Sequence, residues 1–120
     1  MSGFKDLLFY QKAFENAMRI FEMTKTFPSE EKYALTSQIR NSARSVCSNI
    51  AEGYRKRRYV KHFVTKISDA DMENSETLVW LDFCLACRYI DQSQQSEMEQ
   101  RLAEVGRMLN FALQNSEKFI

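Results

Sequence analysis

Residues 55–66 read RKRRYVKHFVTK, the stretch of this chain best equipped for recognition chemistry. Arg55, Lys56, Arg57, Arg58, Lys61, His62 and Lys66 interleave with Tyr54 and Tyr59. Guanidinium and ammonium groups neutralise phosphates, and aromatic faces stack on unpaired bases, so these residues are candidates for binding RNA or another polyanion. The competing reading is a solvated charged turn. Basic groups suit the C-terminal end of a helix but not the N-terminal start of the next, where the dipole is already positive. No acidic residue follows within two helical turns. Local helix stability therefore does not account for the cluster, which favours a partner.

The formal net charge of +1 conceals a strong dipole: residues 40–66 carry eight basic side chains and one acidic, whereas residues 67–104 carry two basic and nine acidic. A chain of this kind can bind a polyanion, bind copies of itself, or pair its own helices. For Arg40 and Arg44 the favoured reading is the last. If two helices run antiparallel about a turn near residue 56, Arg40 faces residues 71–73 and Arg44 faces residues 68–69. That predicts an interhelical ion-pair ladder with Asp69, Asp71 and Glu73, a nucleic-acid contact being the alternative.

Other reactive groups form no site. Cys84 and Cys87 make a CxxC, but it lies in a predicted helix, with no second pair and with the only histidine, His62, many turns away. Buried free thiols are expected there and at Cys47. Asp69, Asp71, Glu73 and Glu76 lack a glycine-containing loop or calcium-loop spacing, so neither a metal nor any other cofactor is expected. No Ser/His/acid or Cys/His constellation, phosphate loop or metal signature supports catalysis, and a non-enzymatic binding protein is expected.

The elements that must position these residues are helical. With one Pro and three Gly in 120 residues, the composition favours long helices in a single domain over residues 1–120. A first helix is predicted over residues 4–26, with a stripe of Leu7, Tyr10, Phe14, Ala17 and Phe21 flanked by Ala13 and Ile20. Pro28 breaks it. Ser29 is the expected N-cap of a second helix running to residue 52, with Leu35, Ile39, Ser42/Ala43, Val46 and Ile50 inward, and Gly53 at the position of a C-terminal cap. A third helix, residues 59–90, carries Phe63, Ile67, Ala70, Asn74, Leu78, Leu81 and Leu85. At about 48 Å it should overhang the others, at about 35 Å. Asp91 or Ser93 caps a fourth, residues 94–117, with Met98, Leu102, Val105, Leu109 and Ala112 inward. Gly106 lies beside that stripe and predicts close approach of another helix. Asn74 and Asn49 are candidate buried amides that fix register. Short links make this an all-α, antiparallel up-down-up-down four-helix bundle. Phe9, Met18, Met23, Tyr33, Val79, Trp80, Phe83 and Phe111 exceed what one stripe per helix absorbs, so a subunit interface is expected. No apolar run is long enough to span a bilayer, and the first twelve residues lack a signal pattern, so the cytoplasm, without a membrane partner, is the expected location.

Two blocks carry a family resemblance. FPSEEKYALTSQIR at residues 27–40 resembles the signature FPxEExYxLTSQxR, and SVCSNIAEG at residues 45–53 is similar to SIPSNIAEG. Glu76-Thr77 followed by Trp80-Leu81-Asp82-Phe83 resembles the third-helix pattern of one branch. The family is the four-helix-bundle proteins encoded in intervening sequences of bacterial 23S ribosomal RNA genes, and the resemblance covers essentially the whole chain. It implies an antiparallel bundle assembling as a homopentamer. It also implies distant kinship to the accessory protein of diversity-generating retroelements, a basic pentamer that binds nucleic acid and a reverse transcriptase. The family has no established catalytic activity, and a protein partner remains an alternative to RNA. Cys47 stands where the family usually has Pro, and Met72 where a small residue is usual.

Overall fold

The computed structural model describes residues 3–120. Four helices account for most of them: α1 (Leu8–Met23), α2 (Leu35–Arg55), α3 (Val60–Ala86) and α4 (Gln92–Gln114). Single 3-10 turns occur at Phe4–Asp6, Thr24–Thr26, Ser29–Glu31 and Ser116–Lys118, and no strand is present among the described residues. The molecule measures 44 × 24 × 24 Å.

Two core clusters set the helix directions. In one, Phe9 and Ala13 of α1 meet Val46 and Ile50 of α2, Phe63, Ile67 and Ala70 of α3, and Val105, Leu109 and Ala112 of α4. In the other, Ala17 and Ile20 meet Ile39 and Ala43, Leu81 and Cys84, and Met98 and Leu102. Early α1 thus lies beside late α2, early α3 and late α4, so successive helices alternate in direction. The α2–α3 turn sits at one end of the bundle. Full burial of a side chain such as Phe63 or Ile67 contributes about 1.5–3 kcal/mol.

Helix ends depart from expectation in instructive ways. Ser29 begins only a 3-10 turn, and the α2 start is held by Glu31, whose Oε1 accepts the Leu35 N–H at 3.2 Å. Helix α3 is 27 residues long, about 40 Å, and ends at Ala86, so the overhang expected from a 59–90 helix is reduced. It stops in a Schellman arrangement: Tyr89 N–H reaches the Cys84 carbonyl at 3.0 Å and Arg88 N–H the Leu85 carbonyl at 2.9 Å. Arg88 occupies the left-handed position usual for glycine, with φ of 64°. Asp91 caps α4 as expected, through a reciprocal box with Gln94 at 2.8 and 2.9 Å.

The buried face of α1 is rotated from the expected stripe: Ala17 and the flanking Ala13 and Ile20 are shared with it, and Phe9 and Asn16 replace Tyr10, Phe14 and Phe21. Phe9, Ala13, Asn16, Ala17 and Ile20 are buried. Tyr10 and Phe21 are half-buried and Phe14 is exposed, all three on the α2 side or beyond it. Phe9, expected at a subunit interface, is a core residue. Met18, Tyr33, Val79, Phe83 and Phe111 are exposed as anticipated. Trp80 is half-buried, packed against the edge of the second core cluster, 6.0 Å from Phe83, with its indole N–H 3.3 Å from Glu76 Oε1.

Buried polar groups stitch the layers. Asn74 of α3 donates to the Leu102 carbonyl at 2.8 Å, and Asn16 of α1 donates to the adjacent Arg101 carbonyl at 3.2 Å. Helix α4 is therefore gripped at one height from two sides. The Thr77 and Ser42 hydroxyls, 2.8 Å apart and buried, join α3 to α2. Asn49 makes only a local bond to the Ser45 carbonyl.

The two helical glycines behave oppositely. Gly53 is not a cap: it is buried inside α2, where a Cβ would lie 3.0 Å from Lys66 Cβ and 3.3 Å from Ile67 Cδ1. Lys66 Cβ is fixed to the α3 backbone and cannot step aside. At Gly106 a Cβ would meet only Asn74 Nδ2, at 3.4 Å, so a neighbouring helix approaches there through one side chain. Gly53→Ala should therefore destabilise by about 1–3 kcal/mol despite its better helix propensity, because overpacking forces the helices apart. Gly106→Ala should stabilise by about 0.5–1 kcal/mol. Chemical denaturation of both variants reads the two signs, and equal signs would contradict this account.

Candidate nucleic-acid interface

The α2–α3 turn is short because the helices touch immediately below it. Lys56 N–H bonds the Glu52 and Gly53 carbonyls at 3.2 and 3.1 Å, Arg57 N–H the Tyr54 carbonyl at 3.2 Å, and Tyr59 N–H the Lys56 carbonyl at 2.9 Å. Tyr59 then serves as N-cap of α3 with extended backbone, and no side chain caps that end. The first turn of α3 holds no acidic residue, so its N–H groups add to the positive field.

The structure gathers all nine candidate residues at this end of the bundle. Arg55, Lys56, Arg58, Tyr59, Lys61 and His62 are exposed. Arg57 lies over the Tyr54 ring at 4.1 Å and donates to the Tyr54 carbonyl at 3.0 Å, which occupies one face of that tyrosine. Tyr59 meets His62 edge-on at 6.0 Å. Lys66 pairs with Glu52 at 3.3 Å. Among the described residues, Arg55, Lys56, Arg57, Arg58 and Lys61 have no carboxylate partner.

Two hollows flank Arg55. One, of about 400 Å³, is lined by Ala51, Glu52, Arg55, Lys56, His62 and Lys66. The other, of about 480 Å³, is lined by Arg55, Arg57, Arg58, Tyr59 and Ile120. Ile120 was not among the sequence candidates. It arrives because Phe119, after α4, packs at 5.8 Å against both Phe9 and Phe63 and draws the following residue to the turn. Two adjacent apolar residues beyond the helix were the available signal.

The expected ladder between α2 and α3 does not form. Arg40 turns to α1: its Nε donates to Thr24 Oγ1 at 2.7 Å, Nη2 to the Phe21 carbonyl at 3.3 Å, and its guanidinium lies 4.6 Å from the Phe21 ring centre. Arg44 approaches the same ring at 5.9 Å. The residue-sum rule sets the height of a residue along the bundle, not its direction around the helix, and both arginines project toward α1. Asp69, Asp71 and Glu73 are left half-buried without a cationic partner among the described residues. Burial pushes the Asp71 carboxyl up, and burial reinforced by Glu76 and Asp69 does the same to Glu73. No group of three or more His, Cys, Asp or Glu side chains converges to hold a metal among the described residues. Among the described residues, no helix is long and apolar enough to cross a membrane.

Comparison with known proteins accords with the helical fold. The family model described as 23S rRNA-intervening sequence protein matches residues 5–111. The chain belongs to that family. A crystal structure of a protein of unknown function from the S23 ribosomal protein family of Bacteroides thetaiotaomicron superposes with a TM-score of 0.82. That protein is 26% identical, and the match covers 90% of this chain and 96% of the other. No curated protein matches the sequence.

The three cysteines differ from the uniform burial expected. Cys84 is buried, Cys47 half-buried and Cys87 exposed. Burial pushes the Cys47 thiol up to about 11 and the Cys84 thiol up to about 12, so neither supplies thiolate at neutral pH. A water-soluble thiol reagent at pH 7.5 should therefore modify one site per folded chain, Cys87, and reach the other two only on unfolding. Mass spectrometry of the time course reads this directly. Rapid modification at Cys84 in the folded protein would contradict the placement.

Proposed function

We propose that this protein is a non-catalytic, cytoplasmic, homo-oligomeric scaffold, assembled as a pentamer, that binds RNA or another polyanion at the tip formed by residues 54–66. The carrying observation is five cationic side chains with no carboxylate partner among the described residues, grouped at a helix start that lacks an acidic cap. Collecting like charges is unfavourable unless an anion joins them. A ring of copies multiplies this patch, so weak individual sites add through avidity. Exposed Phe14, Met18, Val79, Phe83 and Phe111 supply apolar surface for assembly.

A second reading has its own observation. Among the described residues, Asp69, Asp71, Glu73 and Glu76 on α3 have no cationic partner. A pure protein-interaction scaffold would set the basic tip of one copy, or of another protein, against that acidic surface.

Light-scattering mass of the purified protein should report about 71 kDa, five chains of 14.2 kDa each. Added RNA should be retained at low salt and released as salt rises. The triple change Arg55→Ala/Arg57→Ala/Arg58→Ala should leave the mass intact and abolish most RNA binding. Where residual binding is measurable, the slope of log affinity against log salt should fall by about 2, from about 0.7 per lost contact to a single strand. An oligomer that ignores RNA at low salt, but dissociates in the triple variant, would replace this reading with the protein-only scaffold.

A further inference from the structure

The tip carries one aromatic surface that nothing in the fold uses. Each of the other four tyrosines is engaged. Tyr10 packs with Phe4 and Phe14. Lys32 lies over Tyr33 and Arg57 over Tyr54. Tyr89 packs on Phe27 and donates to Glu31 at 2.8 Å. Tyr59 is 57% exposed. Its aromatic neighbour, His62, meets it at 85°, and no described ring or cation lies flat against it.

Tyr59 is also held in place. Its N–H is bonded to the Lys56 carbonyl and its own carbonyl accepts Phe63 N–H at 3.0 Å, while Phe63 is fully buried. The ring therefore stands on a fixed backbone, which lowers the ordering cost of stacking on it. Tyr59 lines one basic hollow and its neighbour His62 lines the other, with Arg55 shared between them. A flat apolar face thus rises between two cationic depressions.

We propose that Tyr59 is a stacking platform for one unpaired base, with the flanking phosphates of a single strand seated in the two hollows on either side. The proposal rests on the polyanion reading above and narrows it to single-stranded nucleic acid. A duplex keeps its base faces stacked on one another and offers this tip only phosphates. A sulfated polysaccharide offers charge and no base. A flexible single strand can turn one base onto the ring while its backbone follows the cations.

The test uses fluorescence anisotropy with a labelled 12-nucleotide single-stranded RNA, the same sequence as a blunt duplex, and heparin as competitor, at fixed salt. Expected is tighter binding of the single strand than of the duplex. Tyr59→Ala and Tyr59→Leu should each weaken the single strand about tenfold. Both should leave duplex and heparin binding within about twofold, and Tyr59→Phe should retain full affinity. Leucine keeps the apolar bulk without the π face, and circular dichroism verifies that each variant is folded. If Tyr59→Leu binds the single strand as tightly as the parent while Arg55→Ala/Arg57→Ala/Arg58→Ala does not, the platform is overturned and the polyanion reading stands. If no RNA binds at any salt, both fall together.

Discussion

The basic tip of this molecule depends on one close contact, the approach of α3 to α2 across Gly53. The missing side chain lets Lys66 Cβ and Ile67 settle against the α2 backbone. Phe63 and Ile67 can then be fully buried one turn and two turns into α3. Because the helices already touch there, the chain reverses in four residues, 56–59. The same contact holds the cations at the end of α2 near those at the start of α3. Hydrophobic burial of about 1.5–3 kcal/mol per large side chain outweighs the screened repulsion, about 1 kcal/mol for two unit charges 4 Å apart in water. The fold tolerates the cluster because the core beneath it is strong.

A second constraint acts at mid-height. Asn74 and Asn16 reach consecutive carbonyls of α4 from opposite neighbours, and the Thr77–Ser42 pair links α3 to α2. Each such bond contributes about 1 kcal/mol, but shifting α4 by one residue would leave both amides buried without acceptors. Apolar stripes allow helices to slide; these groups do not. The bundle's register therefore rests on a few polar atoms.

Much of this was legible in the sequence, and the failures have definite causes. The inward faces of α2, α3 and α4 follow from single dominant stripes, and the Asp91 cap from a residue type that bonds its own helix start. The face of α1 was misread in part because that helix is apolar on two sides: Phe9, Ala13 and Ile20 compete with Tyr10, Phe14 and Phe21, and Ala17 is common to both. Burial chose the set with small residues, which lets α1 sit close to its neighbours. Gly53 was misread because glycine near a helix end serves equally as a cap or a close contact, and only the partner helix distinguishes them. The arginines of α2 were misdirected because spacing along the chain carries no information about which neighbour an oblique side chain meets. The tip cluster was visible as composition, but its two hollows arise from how α2 and α3 meet, and the contribution of Ile120 from the segment after α4 packing back against that turn.

Trp80 gives the flank of α3 around Phe83 a spectroscopic identity. It is the one tryptophan in the chain, half-buried beside exposed Phe83 and bonded to Glu76. Its emission reports the polarity of that single face, because no other indole contributes. A neighbour covering Phe83 strips water from the ring and moves the emission to shorter wavelength, whereas a ligand at the opposite end of α3 leaves it unchanged. The molecule thus carries a label-free optical signal that separates events on its flank from events at its tip.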